Sequence, residues 1–360
     1  MKHTTFDMDF YRGKRVFVTG HTGFKGTWLC RMLLKAGAVV TGYSLKAPTE
    51  PNLFALADVE RRMTSVIGDV RDMKHLKEAF DAAKPEIVLH LAAQPIVRES
   101  YKDPVYTYET NVMGTVNLLE CVRQAMLRGE APRSVLNVTT DKVYLNNEWD
   151  RGYREDEPLD GFDPYSNSKS CSELVTHSYK NSFFANGQVA ISTARAGNVI
   201  GGGDFASDRI IPDCVRAMAE GKTIGVRNPH STRPYQHVLE PLCVYLTIAQ
   251  RQYEDGTYQG YYNVGPDDCD CVTTGELVEL FCKCWGEGAA WENQAEESAP
   301  HEANFLKLDC GKIKKTFGWQ PRWHIAECME MTCRFGKIWL AGGDIPTEMD
   351  YEIEAFLGES

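Results

Sequence analysis

Arg15-Val-Phe-Val-Thr-Gly-His-Thr-Gly-Phe-Lys-Gly26 is the stretch that decides how this chain folds. Arg15–Thr19 is a β-branched, apolar run of the kind that forms a buried strand, and glycines follow at 20, 23 and 26. A strand that enters a glycine turn and leaves it as a helix brings backbone N–H groups and the positive end of a helix dipole to one point, where a pyrophosphate can bind. The spacing is G-x-x-G-x-x-G rather than G-x-G-x-x-G. Three glycines alone also serve a plain structural turn; the strand before them and the helix after them favour a dinucleotide. Gly20, Thr22, Gly23, Phe24, Lys25 and Gly26 are therefore expected to contact the cofactor.

Outward from this motif, short apolar runs at Val39–Leu45, Ser65–Ile67, Ile87–Leu91 and Val135–Thr139 read as strands. Thr27–Ala36, Lys74–Ala83 and Pro104–Leu127 carry apolar residues at helical spacing, and Tyr165–Phe184 and Val189–Ala194 extend the pattern by a helix and a sixth strand. Such alternation predicts an α/β fold with a Rossmann-type doubly wound parallel sheet. Beyond Arg195 the texture changes. Gly201–Gly203, Pro212, Pro229 and Pro234 punctuate a loop-rich region, followed by helical patterns at Thr274–Trp285 and Ile325–Leu340. A smaller, mixed α/β C-terminal substrate lobe is expected. Residues 12–194 are assigned to the dinucleotide domain, with a return segment near 236–264, and 195–235 and 265–345 to the lobe.

A formal net charge of −11, from 39 Lys+Arg against 50 Asp+Glu, argues against nucleic acid or an anionic membrane as partner. No apolar stretch approaches the roughly 20 residues that span a bilayer, and Met1–Tyr11 lacks the apolar centre of a signal peptide. The twelve cysteines include C-x-C pairs at Cys269/Cys271 and Cys282/Cys284 but no zinc-type spacing. Structural thiols, no metal and a reducing cytoplasm are expected.

Two clusters carry chemistry. Tyr165-Ser-Asn-Ser-Lys169 places a phenol and an ammonium on one helix face. The ammonium is expected to lower the phenol pKa, so that tyrosinate takes a proton from a sugar hydroxyl as hydride leaves its carbon. Thr139-Thr140-Asp141-Lys142-Val143-Tyr144 ends the fifth strand, the sheet edge where open α/β folds bind ligands. Thr140 can bond the reacting hydroxyl, Asp141 can protonate a leaving group and Lys142 can take a carbon-bound proton; a polar strand-end turn is the plainer alternative. Asn111 either orients the Tyr165 end of this network or caps backbone. Asp69, with Val70 after the third strand, either meets the adenine or caps a helix. Lys46 stands where an NAD-selective site has an acid, so NAD is expected with NADP still open.

Together these residues resemble the extended short-chain dehydrogenase/reductase family, closest to its nucleotide-sugar 4,6-dehydratases, over nearly the whole chain. The likeness is carried by Val18–Gly26, Ala92-Ala-Gln-Pro95, Asn111–Thr115, Asp141-Lys142, Tyr165–Lys169, Arg195–Asp204, Asp208–Asp213, Arg227–Val238 and His301–Asp309. Asp141-Lys142 is the most telling, because the dTDP-glucose and GDP-mannose dehydratases carry Asp-Glu or a hydroxyl followed by Glu there, and epimerases have small residues. The resemblance implies a cytoplasmic, homodimeric or homotetrameric lyase acting on a CDP-sugar with NAD, in deoxysugar supply for O-antigen or lipopolysaccharide. It implies C4 oxidation by Tyr165 with Lys169, removal of the C5 proton by Lys142, protonation of the departing 6-hydroxyl by Asp141, and hydride return to C6. It adds Leu91, Ala92 and Ala93 to the cofactor site and Gln94, Asn198, Arg209, Arg233 and His301 to the substrate site. The chain departs from the family member it most resembles at Lys46, where that member has Asp, and at Val143, where it has Cys. A 4-epimerase or reductase shares all but Asp141-Lys142, and a non-catalytic NAD-binding regulator needs neither catalytic cluster.

Overall fold

The alternating runs close into one seven-stranded sheet whose pairings are all parallel. The structure, a computed structural model, describes residues 6–294 and 306–358. The strands are β1 (Arg15–Thr19), β2 (Val39–Ser44), β3 (Thr64–Ile67), β4 (Ile87–His90), β5 (Ser134–Thr140), β6 (Ala190–Ala196), β7 (Asn198–Ile200), β8 (Ile224–Val226), β9 (Thr232–His237), β10 (Tyr261–Val264), β11 (Cys271–Thr273) and β12 (Trp291–Asn293). In the large sheet the order is β3-β2-β1-β4-β5-β6-β10. The chain reverses direction of winding between β1 and β4, which opens a crevice at their carboxyl ends.

Burial explains the apolar runs. β4, β5 and β6 are buried along their whole length, as parallel strands covered by helices on both faces must be, whereas the edge strand β3 is half-exposed. On one face Val16, Val18, Leu89 and Leu136 pack with Trp28 and the Leu239–Glu254 helix. On the other, Phe17, Val88 and Val135 pack with Phe80, Leu118 and Val122. A third core, with Ile211, Val226, Phe281 and Met329, belongs to the C-terminal lobe. There β9 pairs antiparallel with β11 and parallel with β7. No helix among the described residues is long and apolar enough to cross a membrane.

Several elements differ from expectation, each for a local reason. The first long helix starts at Phe24, inside the glycine motif, with Gly23 as its N-cap. β6 runs on to Ala196 because its register with β5 continues from Ser134↔Ala190 to Thr140↔Ala196. The expected Pro104–Leu127 helix is interrupted by a π segment at Glu109–Met113, where Asn111 turns inward to bond the backbone of Gln94. The lobe expected to end at 345 is followed by a helix, Ile345–Leu357, capped by Asp344. It returns to the Phe24–Lys35 helix, where Arg31 meets Asp350 at 2.6 Å and Lys35 meets Glu354 at 2.6 Å.

Candidate active site

The glycine motif makes a cradle by excluding side chains. Gly20 has φ +80°, and a Cβ there would lie 2.8 Å from the Ala92 nitrogen; a Cβ on Gly26 would lie 2.0 Å from the Gly20 carbonyl oxygen. Neither position tolerates another residue without moving the strand or the helix. Gly23 supplies no side-chain cap, so the first-turn N–H groups of the Phe24–Lys35 helix remain available to a ligand. Thr22 donates its hydroxyl to the Leu45 carbonyl at 2.8 Å, which ties the turn to the end of β2. This donor set fits a dinucleotide pyrophosphate. The motif opens on a cleft of about 980 Å³, whose wall also includes Val70, Leu91, Ala92, Ala93 and Lys46. Asp69 holds Arg71 through two oxygens at 2.8–3.1 Å, and the helix that follows is capped by Asp72, so Asp69 is not its cap.

Asn111 sits one layer behind this wall, bonded to Gln94. Asn111 accepts from the Gln94 nitrogen at 2.8 Å and donates to the Gln94 carbonyl at 3.1 Å and to the Ser168 hydroxyl at 2.8 Å. It therefore shapes the loop and does not bond Tyr165. Gln94 reaches the cleft, but its side-chain amide donates to Thr107 at 2.9 Å and accepts from the Ile96 nitrogen at 2.6 Å.

Tyr165 and Lys169 share the inward face of the Pro164–Ser182 helix, which starts there because Asp163 accepts from the Ser166 nitrogen at 3.0 Å and Pro164 occupies the first turn. Lys169 is buried and donates to the Val138 carbonyl at 3.0 Å. Burial lowers its pKa to about 8, against the pull of Glu173. The expected lowering of the phenol pKa by Lys169 does not hold in this geometry. Burial pushes Tyr165 up to about 12, opposed by a hydrogen bond with Thr140, with Asp141 adding to the rise and Arg209 reducing it. Desolvation of the phenolate outweighs the cations around it.

Thr140 is the last residue of β5 and donates to Asp141 Oδ1 at 2.9 Å. Asp141 is fully buried, and its Oδ2 has no hydrogen-bond partner. The Lys142 ammonium lies 3.4 Å from Asp141 Oδ1 and 3.4 Å from Asn198 Oδ1. Lys25 projects into the same field: burial first, then Arg209, lowers its pKa to about 7 while Asp141 opposes. A phenol, a buried acid and three amines thus meet at the carboxyl end of β5. That set can take a hydroxyl proton, protonate a leaving oxygen and accept a carbon-bound proton.

Of the expected substrate residues, Asn198, Arg209 and Arg233 line the cleft. Arg209 donates to Asp204 at 2.8 Å and Arg233 to the Thr232 carbonyl at 3.0 Å. His301 lies outside the described residues.

The residues missed from sequence form the layer beneath. Glu173 accepts from Thr139 at 2.5 Å, from Thr193 at 2.8 Å and from Arg195 at 3.0–3.1 Å, with both members of the ion pair buried. Arg195 goes on to Tyr144 at 2.8 Å, and Tyr144 to Asn263 at 2.6 Å. The one available signal was spacing: Glu173 follows Lys169 by four residues and so shares its helix face.

The family model described as GDP-mannose 4,6 dehydratase matches residues 17–332. The chain belongs to that family. Among its relatives, a CDP-glucose 4,6-dehydratase of Salmonella typhimurium is 50% identical over 345 residues, which is 94% of this chain and 95% of the relative. A dTDP-glucose 4,6-dehydratase of Haemophilus influenzae is 24% identical over 89% of this chain and 97% of its own. Of the solved structures, a dTDP-glucose 4,6-dehydratase from Streptomyces venezuelae with NAD bound aligns with a TM-score of 0.75 at 23% identity, over 92% of this chain and 99% of that one. A UDP-glucuronic acid 4-epimerase from Bacillus cereus aligns with a TM-score of 0.76 at 21% identity, over 90% of this chain and 99% of that one. Dehydratases and epimerases thus share this fold.

Proposed function

We propose that this chain is an NAD-dependent CDP-glucose 4,6-dehydratase, a lyase that converts CDP-D-glucose to CDP-4-dehydro-6-deoxy-D-glucose. The observation that supports the reading is that Lys142 and Tyr165 line one cleft, with Asp141 buried behind it 3.4 Å from Lys142 and acting electrostatically on Tyr165, in a chain half identical to a CDP-glucose 4,6-dehydratase. When bound, NAD supplies the hydride acceptor for C4 and the hydride donor for C6. Tyr165, in contact with Thr140, accepts the proton of the 4-hydroxyl as tyrosinate, a form that the positive charge of bound NAD and of the buried Lys169 would favour. The resulting 4-ketone acidifies C5–H. Lys142, whose Nζ lies between Asp141 and Asn198, takes that proton. Asp141, whose Oδ2 has no hydrogen-bond partner, gives a proton to the departing 6-hydroxyl. Asn198, Arg209 and Arg233 are proposed to hold the diphosphate, since guanidinium forks match phosphate oxygens. The sheet with its return segment, residues 12–194 and near 236–264, is the cofactor unit in this reading, and the remainder to 345 is the sugar-nucleotide lobe. A cytoplasmic homodimer or homotetramer in deoxysugar supply completes it; all twelve cysteines are free thiols, which suits a reducing compartment.

A panel of CDP-, dTDP-, UDP- and GDP-glucose tests the assignment. Only CDP-glucose should give the 4-keto-6-deoxy product efficiently, and C4-deuterated substrate should deliver its label to the C6 methyl. Retention of deuterium at C4 points to an epimerase, and its loss to solvent also rules out the dehydratase reading.

A further inference from the structure

Cys269 and Asp270 lie in a short turn at Asp268–Asp270, and His324 is the N-cap residue of the Ile325–Leu340 helix. Fifty-four positions separate Asp270 from His324 in sequence, so no motif spacing links them. In the folded lobe they converge. Cys269 Sγ is 3.6 Å from Asp270 Oδ2 and 4.0 Å from His324 Nδ1, and Asp270 Oδ2 is 2.9 Å from His324 Nδ1.

We infer that Cys269, Asp270 and His324 form a binding site for one divalent cation of the zinc type, apart from the sugar-nucleotide cleft. Metal–ligand bonds of about 2.0–2.3 Å at tetrahedral angles place sulfur, nitrogen and oxygen ligand atoms roughly 3.3–3.6 Å apart. The three observed separations straddle that range, so small side-chain adjustments bring all three atoms within bonding distance of one ion. A thiolate with an imidazole selects zinc, cobalt or nickel over magnesium and calcium, which require oxygen ligands. Asp270 is buried with only 3% of its surface exposed. Its second oxygen accepts from the Ile325 nitrogen at 2.9 Å, the kind of outer bond that aims a ligating carboxylate. Cys269 and His324 are exposed, which leaves an entry path and a fourth position for water. Binding releases the thiol proton, and the proton on Nδ1 where one is present, to solvent.

The bound ion would join two parts of the lobe. The Cys269 turn leads into β11, whose Val272 pairs with Arg233 of β9. On the other side, His324 follows Arg322 and Trp323, whose nitrogens donate to Glu240 at 2.6 and 2.8 Å. A metal clip there braces the strand pair that carries Arg233.

Titration of the metal-free full-length protein with Co²⁺ tests this directly. One equivalent should produce a near-ultraviolet thiolate-to-cobalt band with the visible bands of a tetrahedral site; Zn²⁺ should displace it and raise Tm. Cys269→Ser should remove the thiolate band, and His324→Ala and Asp270→Asn should each weaken binding about tenfold or more. Cys269 is exposed, so metal-free Cys269→Ser should melt like the parent, which separates loss of metal from loss of fold. Absence of saturable uptake overturns the inference, as does a thiolate band that survives Cys269→Ser or affinity unchanged in His324→Ala, either of which assigns the metal to another thiol.

Discussion

Lys142 Nζ stands 3.4 Å from Asp141 Oδ1, yet the Asp141 side chain has no exposed surface while that of Lys142 keeps 27%. Two adjacent residues are thus given opposite surroundings by the end of β5. The buried member is held by Thr140 and retains one unpartnered oxygen, whereas the other reaches into the cleft. In the proposed mechanism neither acts in the oxidation of C4. Asp141→Asn and Lys142→Met should therefore each stall the reaction after oxidation, with the near-ultraviolet absorbance of reduced nicotinamide building up on mixing with substrate. Variants that lose activity without this signal would remove the pair from the elimination step.

In the proposed mechanism Tyr165 carries the first proton transfer. Tyr165→Phe removes the acceptor while leaving the glycine cradle intact, so turnover should fall by about 100-fold or more. Cofactor affinity, measured by fluorescence titration, should stay near the parent value. A variant of full activity would end the assignment.

The Glu173–Arg195 pair tests the layer below. Both side chains are at most 3% exposed, and removal of one partner strands the other's charge away from water. Glu173→Ala should lower stability by about 3–5 kcal/mol in denaturant melts. Glu173 also raises the pKa of Lys169, so folded variant protein should carry a Lys169 that loses its proton at lower pH. A loss below about 1 kcal/mol would mean that Arg195 finds another partner.

Lys46 bears on cofactor choice. It is exposed and lines the cleft just past β2, the strand end where a carboxylate selects the unphosphorylated ribose. Lys46→Asp should shift the ratio of NAD to NADP affinity toward NAD, because a carboxylate accepts from the 2′-hydroxyl and repels a 2′-phosphate. An unchanged ratio puts Lys46 in solvent.

His90 makes stability depend on pH. It is buried between Thr19 at 2.6 Å and Thr115 at 3.2 Å, and burial lowers its pKa from 6.5 to about 3. Between those values the unfolded chain binds a proton that the folded chain refuses, so stability falls as pH drops from 6.5 toward 3. His21, lowered to about 4 by burial, acts in the same direction. Glu240, raised by burial from 4.5 to about 7, acts oppositely, with a stabilising contribution that is lost as pH rises through that window. His90→Gln should flatten the acid slope of stability by about 1.4 kcal/mol per pH unit, as read from melts between pH 4 and 6. An unchanged slope would show that His90 does not govern it.

The order of strands and helices, the glycine turn and the residues at the end of β5 could all be read from the amino-acid sequence. Each depends on local rules: alternation of apolar runs, a turn only glycine can make, and one helical face shared by Tyr165 and Lys169. Tertiary structure alone decided the protonation of that face. The Tyr165 phenol rises to about 12 because burial penalises the phenolate, against a hydrogen bond with Thr140 and with Asp141 adding to the rise, a balance set by neighbours distant in sequence. The same holds for Asn111, which the π segment turns toward Gln94, and for the Ile345–Leu357 helix, which returns to Arg31 across more than 300 positions. The meeting of Cys269 and Asp270 with His324 has the same origin. Local pattern specifies what each segment is; desolvation and long-range pairing exist only once the segments have packed.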